Sequence, residues 1–367
     1  MRITRLTTDR LRVPLAAAGR IPLSGAKPAA PDAIDLILVH AETGENLSGL
    51  GFTYLSGPGA EAVRWLIDNE LSQRIVGEDP RDAERLFAAA EERFQPVGFG
   101  GLAARAYSAV DIALWDIKAK AAGVPLFQLL GNARPAAPYF VSDIATRERS
   151  AAEVVKLAKP HLKQGAMGVR VEIGSGDVRA DADRVREIGE GLGEEASVSV
   201  AAGGRFDLGT ADALAHFFAD IGIAWFEDPI PASDERGYAK LAGRTEIPLA
   251  VGCSFDSRER FFHTIRGGIV RTIRPDICRI GGITPLLKIA SAAEAFHTAV
   301  SPVRMPEVGV HLACGLSNVP HVDSVGWFAD LFGGGPVIAN GKLVPAGEPG
   351  LGLLLNEGVA AKWRVAR

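Results

Sequence analysis

The chain has 367 residues, of which 47% are hydrophobic and 23% charged, an ordinary globular composition. Its formal net charge of -4 gives no reason to expect nucleic acid or an anionic membrane as a partner. The three cysteines are few and odd in number, which argues against a disulfide framework and suits a reducing cytoplasm. No apolar run approaches a membrane span, and the charged first residues lack the apolar region of a signal peptide. We therefore expect a cytoplasmic protein.

Residues 1–132 predict a small sheet backed by helices. Patterns of apolar residues bounded by turn signals mark three strand candidates: residues 1–13, 34–40 and 49–54. The stretch 14–31, rich in Ala, Gly and Pro, predicts a loop between the first two strands. Helices are predicted near residues 60–70 and 80–94. Together these elements indicate an α+β unit.

The segment 104–132 predicts a buried helix with a well-defined end. Its apolar residues recur every three or four positions, a spacing that buries one side of a helix. Gly123 ends the helix, and Pro125 prevents it from resuming.

From about residue 135 onward, short apolar strands alternate with helical segments. Seven strand candidates share this rhythm: residues 139–141, 169–172, 198–200, 224–227, 249–251, 270–273 and 298–300. Regular βα alternation predicts a parallel sheet, and at least seven units favour a closed (β/α) barrel over an open sheet.

One string in the buried helix resembles a known family. The run D-I-A-L-W-D-I-x-x-K-x-x-G-x-P-L, from Asp111 to Leu126, is similar to the helix that ends the capping domain in the mandelate racemase and muconate lactonizing enzyme branch of the enolase superfamily. The resemblance implies an α/β fold: an N-terminal α+β capping domain (1–132), a modified (β/α) TIM-type barrel (133–332), and a C-terminal segment (333–367) that returns to the cap.

The resemblance also implies where the chemistry lies. The family uses the C-terminal ends of the barrel strands, where three acidic Mg²⁺ ligands stabilise an enolate made by removing the proton next to a carboxylate. Lysines on the second strand, or a His–Asp pair, move the proton. Segments of the cap, here Tyr54 and the loop 14–31, close over the barrel mouth and choose the substrate.

Several catalytic positions of the family are altered in this chain. Arg170 and Glu172 stand where the second strand has a Lys-x-Lys pair, and arginine is a poor base because its pKa stays above about 12. Ala201 and Gly203 replace the ligand segment of the third strand. Cys253 stands at the carboxylate position of the fifth strand, and a thiol is a soft ligand for Mg²⁺.

Other positions match the family. Glu227, within W-F-E-D-P, is at the metal position of the fourth strand, and Asp276 aligns with the Asp of the His–Asp pair. The His position falls on Val303, while Asp323 aligns with an acid that serves as an electrophile in mandelate racemase. Since one metal ligand of three remains, we expect no cofactor, with Mg²⁺ possible only through the resemblance.

A buried carboxylate without a metal needs a partner, so we expect Arg170 to fill the metal region and pair with Glu227. A fixed guanidinium there would bind a substrate carboxylate and stabilise an oxyanion. Glu172, Asp276 or a low-pKa thiolate of Cys253 would then move the proton. Three further residues are candidates for substrate contact: Tyr54, Arg304 and Asp323. The alternatives are a non-catalytic network of buried ion pairs, and a Cys253 that only fills space.

Three functions stay open at this point. The first is a divergent racemase, dehydratase or cycloisomerase that acts on a small organic acid without the usual Mg²⁺ site. The second is a non-catalytic protein that binds a small molecule on the same scaffold. The third is a Mg²⁺-dependent enzyme with relocated ligands such as Glu172, Glu227 and Asp276. A homo-oligomer is expected from the resemblance.

Overall fold

The computed structural model describes residues 1–15 and 33–366, so most of the predicted loop 14–31 lies outside the described residues. An antiparallel sheet of the cap has the order β1-β2-β3. Its strands are β1 (Ile3–Pro14), β2 (Ala33–Thr43) and β3 (Ser48–Leu55). All three predicted strands are confirmed, and each differs from its prediction by one to three residues at an end.

Helices pack against this sheet. They are α1 (Ala60–Trp65), which continues through a π-helical stretch (Leu66–Leu71) into α2 (Ser72–Ile75), then α3 (Ala83–Phe94), α4 (Gly101–Ala121) and the short α5 (Leu126–Leu129). The two predicted helices near residues 60–70 and 80–94 are therefore present.

Helix α4 lies between the cap sheet and the barrel, and 15 of its 21 residues are buried. The prediction of one buried side is too narrow, because α4 contributes to two hydrophobic clusters, one in the cap and one extending through the barrel. Two glycines of β3 allow the closest approach. A Cβ at Gly51 would lie 1.9 Å from the carbonyl oxygen of Ala109, and one at Gly49 would lie 2.3 Å from that of Ala113.

The second domain contains a curled parallel sheet of eight strands in the order β10-β9-β8-β7-β6-β5-β4-β11. The strands are β4 (Tyr139–Val141), β5 (Gly168–Glu172), β6 (Ser197–Ala201), β7 (Phe226–Glu227), β8 (Leu249–Val251), β9 (Thr272–Ile273), β10 (Ala299–Val300) and β11 (Val322–Ser324). Seven of these are the predicted strands. The eighth, β11, has only three residues and includes a buried aspartate, so hydrophobic patterning does not reveal it.

Helices separate most of these strands. They are α6 (Ala151–Lys163), α7 (Val178–Leu192), α8 (Leu208–Asp220), α9 (Glu235–Ala242), α10 (Arg258–Arg266), α11 (Ile283–Ala295) and α12 (Pro306–Gly315). Polar caps fix where several of them begin. Ser150 and Glu153 form a capping box on α6, and Asp177, Asp207 and Asp234 accept backbone N–H groups at the starts of α7, α8 and α9.

The C-terminal segment returns to the cap, as predicted. It contains β12 (Phe332–Gly333), β13 (Val337–Ala339), β14 (Lys342–Val344), β15 (Leu354–Leu355) and α13 (Glu357–Trp363). Val365 N–H donates to the Arg10 carbonyl at 2.9 Å, and Leu351 N–H donates to Oδ1 of Asp116 in α4 at 2.8 Å. The same aspartate accepts from Leu50 N–H of β3 at 2.9 Å, so one carboxylate joins three parts of the chain.

The other end of the D-I-A-L-W-D string joins the cap to the barrel. Asp111 accepts from the backbone N–H and the hydroxyl of Thr284, at 2.9 and 2.6 Å, at the start of α11. Trp115 Nε1–H donates to the same hydroxyl at 2.9 Å. Burial raises the pKa of Asp111 to about 7, against the opposing effect of the Thr284 hydrogen bonds.

Among the described residues, no helix has both the length and the apolar character needed to cross a bilayer. Cys253, Cys278 and Cys314 are all free thiols, and the last two are buried.

Candidate active site

Charged side chains converge at the C-terminal ends of the barrel strands. Arg170 and Glu172 lie on β5, Glu227 ends β7, and Arg274 and Asp276 follow β9. Because the carboxyl ends of parallel strands meet at one edge of the sheet, these residues share the barrel mouth.

Glu227 lies between two guanidinium groups. Arg170 donates to both of its carboxylate oxygens, Nε to Oε2 and Nη2 to Oε1, each at 2.9 Å. Arg274 Nε donates to Oε2 at 3.1 Å. The predicted pairing of Arg170 with Glu227 is confirmed, while Arg274 is a partner that the sequence reasoning missed.

These contacts keep all three groups charged. Burial alone would raise the pKa of Glu227, but the charges of Arg170 and Arg274 outweigh it and the pKa is lowered. Burial would lower the pKa of Arg170, but the charge and hydrogen bonds of Glu227 raise it overall. Arg170 is therefore a fixed cation that cannot accept a proton.

Arg274 is fully buried and links Glu227 to β11. Its Nη2 donates to Asp323 Oδ2 at 2.7 Å, and its Nη1 donates to the Ser301 hydroxyl at 2.5 Å. The structure thus places Asp323 in the barrel interior as a partner of Arg274. Its proposed contact with substrate becomes an indirect one, through the position of Arg274.

A second cluster joins the cap to the barrel mouth. The Tyr54 hydroxyl donates to Asp276 Oδ2 at 2.5 Å, and Arg304 Nη1 donates to the same hydroxyl at 3.0 Å and to Asp276 Oδ2 at 3.2 Å. Asp276 Oδ1 accepts from the Cys278 N–H at 3.0 Å. Both oxygens of Asp276 are therefore engaged, which leaves this carboxylate little capacity to accept a proton from a substrate.

Arg304 takes the place beside Asp276 that the family gives to histidine. Val303, the aligned position, is buried and forms a backbone bridge with Asp276. The next two residues, Arg304 and Met305, have φ of +58° and +47°, a left-handed backbone that non-glycine residues seldom adopt. This bend brings the Arg304 guanidinium to Asp276 and Tyr54.

The predicted substrate contact Tyr54 and the candidate proton carrier Cys253 both hold their protons at neutral pH. Burial raises the pKa of the Tyr54 hydroxyl well above its usual value, with the nearby Arg304 charge opposing. Burial likewise raises the pKa of the Cys253 thiol, against a smaller effect of Arg304. The low-pKa thiolate expected of Cys253 is therefore not supported, because desolvation exceeds the help from the cation.

Glu172 is the least engaged acid of the group. Its Oε1 lies 3.5 Å from Arg170 Nη1, with its side chain 13% exposed. Among the described residues its carboxylate accepts no hydrogen bond. This contact shows that Arg170 and Glu172, two residues apart, lie on the same side of β5.

The ligand atoms of Glu227, Asp228 and Cys253 lie within 4.8 Å of one another, and within the described ranges this is the group that a metal ion could use. Asp228 has φ of +42°, a left-handed backbone angle, and its Oδ1 accepts from the Gly252 N–H at 3.2 Å. Burial, followed by the charge of Glu227, raises the pKa of Asp228. Within the described residues, the relocated ligand set of Glu172, Glu227 and Asp276 is not such a group: Glu172 lies against Arg170, and Asp276 against Tyr54.

Sequence reasoning missed Arg274 and Asp228, whereas Arg304 was among the predicted substrate contacts. The signal for Arg274 was present, because it precedes Asp276 by two residues and so points to the same side of an extended segment. No pattern signals that Asp228 would turn inward, since that depends on an unusual backbone angle.

Two family models match the chain. The model described as mandelate racemase/muconate lactonizing enzyme, N-terminal domain, matches residues 20–131, and the enolase C-terminal domain-like model matches residues 153–359. The chain belongs to the mandelate racemase/muconate lactonizing enzyme branch of the enolase superfamily.

Curated relatives in this superfamily are enzymes of sugar acids. The chain is 28% identical over 330 residues to the L-talarate/galactarate dehydratase of Salmonella typhimurium. This alignment covers 90% of this chain and 82% of the relative. The chain is also 29% identical over 358 residues to the 3,6-anhydro-alpha-L-galactonate cycloisomerase of Streptomyces coelicolor. That alignment covers 96% of this chain and 97% of the relative.

Solved structures of the superfamily overturn the expectation that no cofactor is involved. A racemase from Streptomyces coelicolor, with bound magnesium, aligns with TM-score 0.92 and 28% identity over 99% of this chain and 100% of its own. The L-talarate dehydratase of Polaromonas sp. JS666, complexed with Mg and L-glucarate, aligns with TM-score 0.90 and 30% identity over 100% and 98%. The prediction was drawn from two missing ligands and took no account of Asp228.

The donors present are only partly suited to magnesium. Mg²⁺ prefers hard oxygen ligands, which Glu227 and Asp228 offer, whereas the Cys253 thiol is soft. In addition, both oxygens of Glu227 accept hydrogen bonds from Arg170. In this arrangement the three donors do not fit Mg²⁺, because the ion and Arg170 would compete for the same oxygens.

Proposed function

We propose that this protein is a lyase or isomerase that removes the proton next to the carboxylate of a small polyhydroxy acid. Dehydration and cycloisomerisation of such acids share this first step. The proposal is supported by the sugar-acid activities named for the relatives and by the polar groups gathered at the barrel mouth.

The observation that carries the proposal is the combination of fixed cations with one loosely held carboxylate. Arg170 and Arg304 keep their charges at the mouth, while Glu172 lies 3.5 Å from the Arg170 guanidinium. Positively charged groups beside a reacting carboxylate stabilise the charge that develops on it when the proton leaves. A carboxylate within reach of the same carbon can accept that proton.

The residues then divide the work. Arg170 and Arg304 bind and orient the substrate carboxylate, and Glu172 accepts the proton. Glu227 and Arg274 position Arg170 from within the barrel, and Asp276, with Tyr54 from the cap, positions Arg304. Cys253 stays a protonated thiol and fills space at the barrel mouth.

A non-catalytic binding protein is the second candidate. One observation favours it: within the described residues, the guanidiniums of Arg170, Arg274 and Arg304 all have carboxylate partners inside the chain. A barrel whose charges are already paired can hold a ligand without transforming it.

Product analysis separates the two candidates. The purified protein is incubated with four- to six-carbon aldonic and aldaric acids, with and without Mg²⁺, and the mixtures are followed by NMR. We expect a 2-keto-3-deoxy acid or an isomerised acid from at least one substrate, and no product from a Glu172→Gln variant. Ligand binding without any product in either condition would favour the binding protein.

A further inference from the structure

Two arginines at the barrel mouth lack an acidic partner among the described residues. Arg147 lies in the loop after β4, and Arg205 lies in the loop after β6. The Nε–H of Arg147 is buried without a hydrogen-bond acceptor, and neither guanidinium makes an ion pair with the residues that the structure describes. Buried donors without an acceptor are uncommon, because they cost free energy.

The loop that carries Arg147 is held in place by Arg184 of α7. Arg184 donates to the carbonyls of Arg149, Thr146 and Glu172, at 2.7, 2.5 and 2.9 Å. The loop is therefore fastened to the end of β5. Glu172 N–H also donates to the Ala145 carbonyl at 2.9 Å, so the backbone on both sides of Arg147 is held at the end of the strand that carries Glu172.

The loop that carries Arg205 is fastened to the end of β7. Gly204 N–H donates to the Asp228 carbonyl at 2.6 Å, and Phe206 N–H donates to the Pro229 carbonyl at 3.2 Å. The Arg205 side chain then lies over Gly174, just past β5, where a Cβ would be 2.4 Å from Arg205 Cδ. Gly174 thus leaves the space that Arg205 occupies.

Both arginines therefore lie near the end of β5, Arg205 over Gly174 and Arg147 on the loop that Arg184 joins to Glu172. Desolvation and then the charge of Arg147 lower the pKa of Arg205, and the opposing effects of Glu172 and Glu148 are smaller. Two like charges held near each other on fixed loops form a site for an anion, since a carboxylate or phosphate would accept hydrogen bonds from both.

We propose that Arg147 and Arg205 bind a second anionic group of the substrate, at the end away from the carboxylate held by Arg170. This inference rests on the proposed function and narrows its substrate class to acids with two anionic ends. The second group is a carboxylate or a phosphate, and the experiment distinguishes them.

Three ligands of one sugar series provide the test: glucarate with two carboxylates, 6-phosphogluconate with a carboxylate and a phosphate, and gluconate with one carboxylate. Affinities are measured by calorimetry at constant ionic strength for the native protein and for Arg147→Ala, Arg205→Ala and Arg205→Lys. We expect at least one dianionic acid to bind ten times more tightly than gluconate. Either alanine variant should lose that preference while gluconate affinity stays the same, and Arg205→Lys should retain part of it.

Arg266→Ala, at the exposed end of α10, is the matched control and should keep the native preference. Thermal unfolding of every variant shows whether the substitutions at Arg147 and Arg205 disturb the fold. The inference is overturned if no dianionic acid binds, if gluconate binds as tightly, or if the alanine variants weaken all ligands equally. A dianion preference without any product would leave this anion site standing and would contradict the proposed function alone.

Discussion

Buried carboxylates occur in two regions of this molecule, and their partners differ. At the junction of cap, barrel and tail, Asp111 and Asp116 accept mainly from backbone N–H groups and a hydroxyl, and Lys120 also donates to Asp116 at 2.7 Å. At the barrel mouth, Glu227, Asp276 and Asp323 accept mainly from arginines. Backbone donors are part of the fold itself, whereas guanidiniums are side-chain cations that a ligand carboxylate can also engage. The junction carboxylates thus join parts of the fold, whereas those at the barrel mouth pair with cations that our proposed function assigns to substrate binding.

The largest expected effect is at the centre of the mouth. Glu227→Gln removes the negative charge between Arg170 and Arg274 and leaves two buried cations without it. We expect the free energy of unfolding to fall by about 3–5 kcal/mol. Urea denaturation measures this, with Glu187→Gln, on the exposed face of α7, as the control. A loss below about 1 kcal/mol would show that the mouth tolerates charge changes as a surface does.

Asp111 at the junction should make the protein less stable as pH rises, whereas ordinary acid denaturation makes a protein less stable as pH falls. The pKa of Asp111 is about 7 when folded against an ordinary 3.8, so between about pH 4 and 7 the unfolded chain releases the proton first. The contribution of Asp111 to stability therefore falls as pH rises through that window, by up to about 1.4 kcal/mol per pH unit.

Asp111→Asn removes this titration. We expect the variant to gain stability relative to the native protein from pH 4.5 to 8, measured by urea denaturation at several pH values. Asp183→Asn, at an exposed ion pair of α7, should show no such trend. A constant difference between Asp111→Asn and the native protein across the range would contradict an uncharged Asp111 at the junction.

A smaller effect is expected on metal affinity. Arg170→Ala frees both oxygens of Glu227 and removes a competing cation, so we expect Mg²⁺ to bind about tenfold more tightly, or about 1.4 kcal/mol. Calorimetric titration measures the change. Arg279→Ala removes a nearby charge that does not contact Glu227 and should have less effect. Unchanged or weaker binding in Arg170→Ala would contradict the competition.

The fold was predictable from sequence because the spacing of apolar residues and the family motif indicate the same architecture. Seven barrel strands and the cap elements follow from apolar spacing, and the helix string identifies the junction. The Arg170–Glu227 pair was predictable because both side chains are fixed by strand registers.

The rest of the site depends on backbone angles, loop contacts and burial, which the pattern of residues along the sequence does not reveal. Arg304 reaches Asp276 only through a left-handed bend, and Asp228 turns inward by the same means. Arg147 and Arg205 lie on loops whose positions are set by Arg184 and by contacts with β7. Burial favours the space-filling alternative for Cys253, because a sequence shows a neighbouring cation but not the loss of water around the thiol.

Proton removal by Glu172 is tested most directly by hydrogen exchange. A polyhydroxy diacid that the protein binds is incubated in deuterated water, and proton NMR follows the exchange of the hydrogen next to its carboxylate. The account predicts exchange by the native protein and at least about a 100-fold slower exchange by Glu172→Gln, with ligand affinity and unfolding free energy little changed. Equal exchange rates in the two proteins, or a bound diacid that the native protein does not exchange, would contradict it.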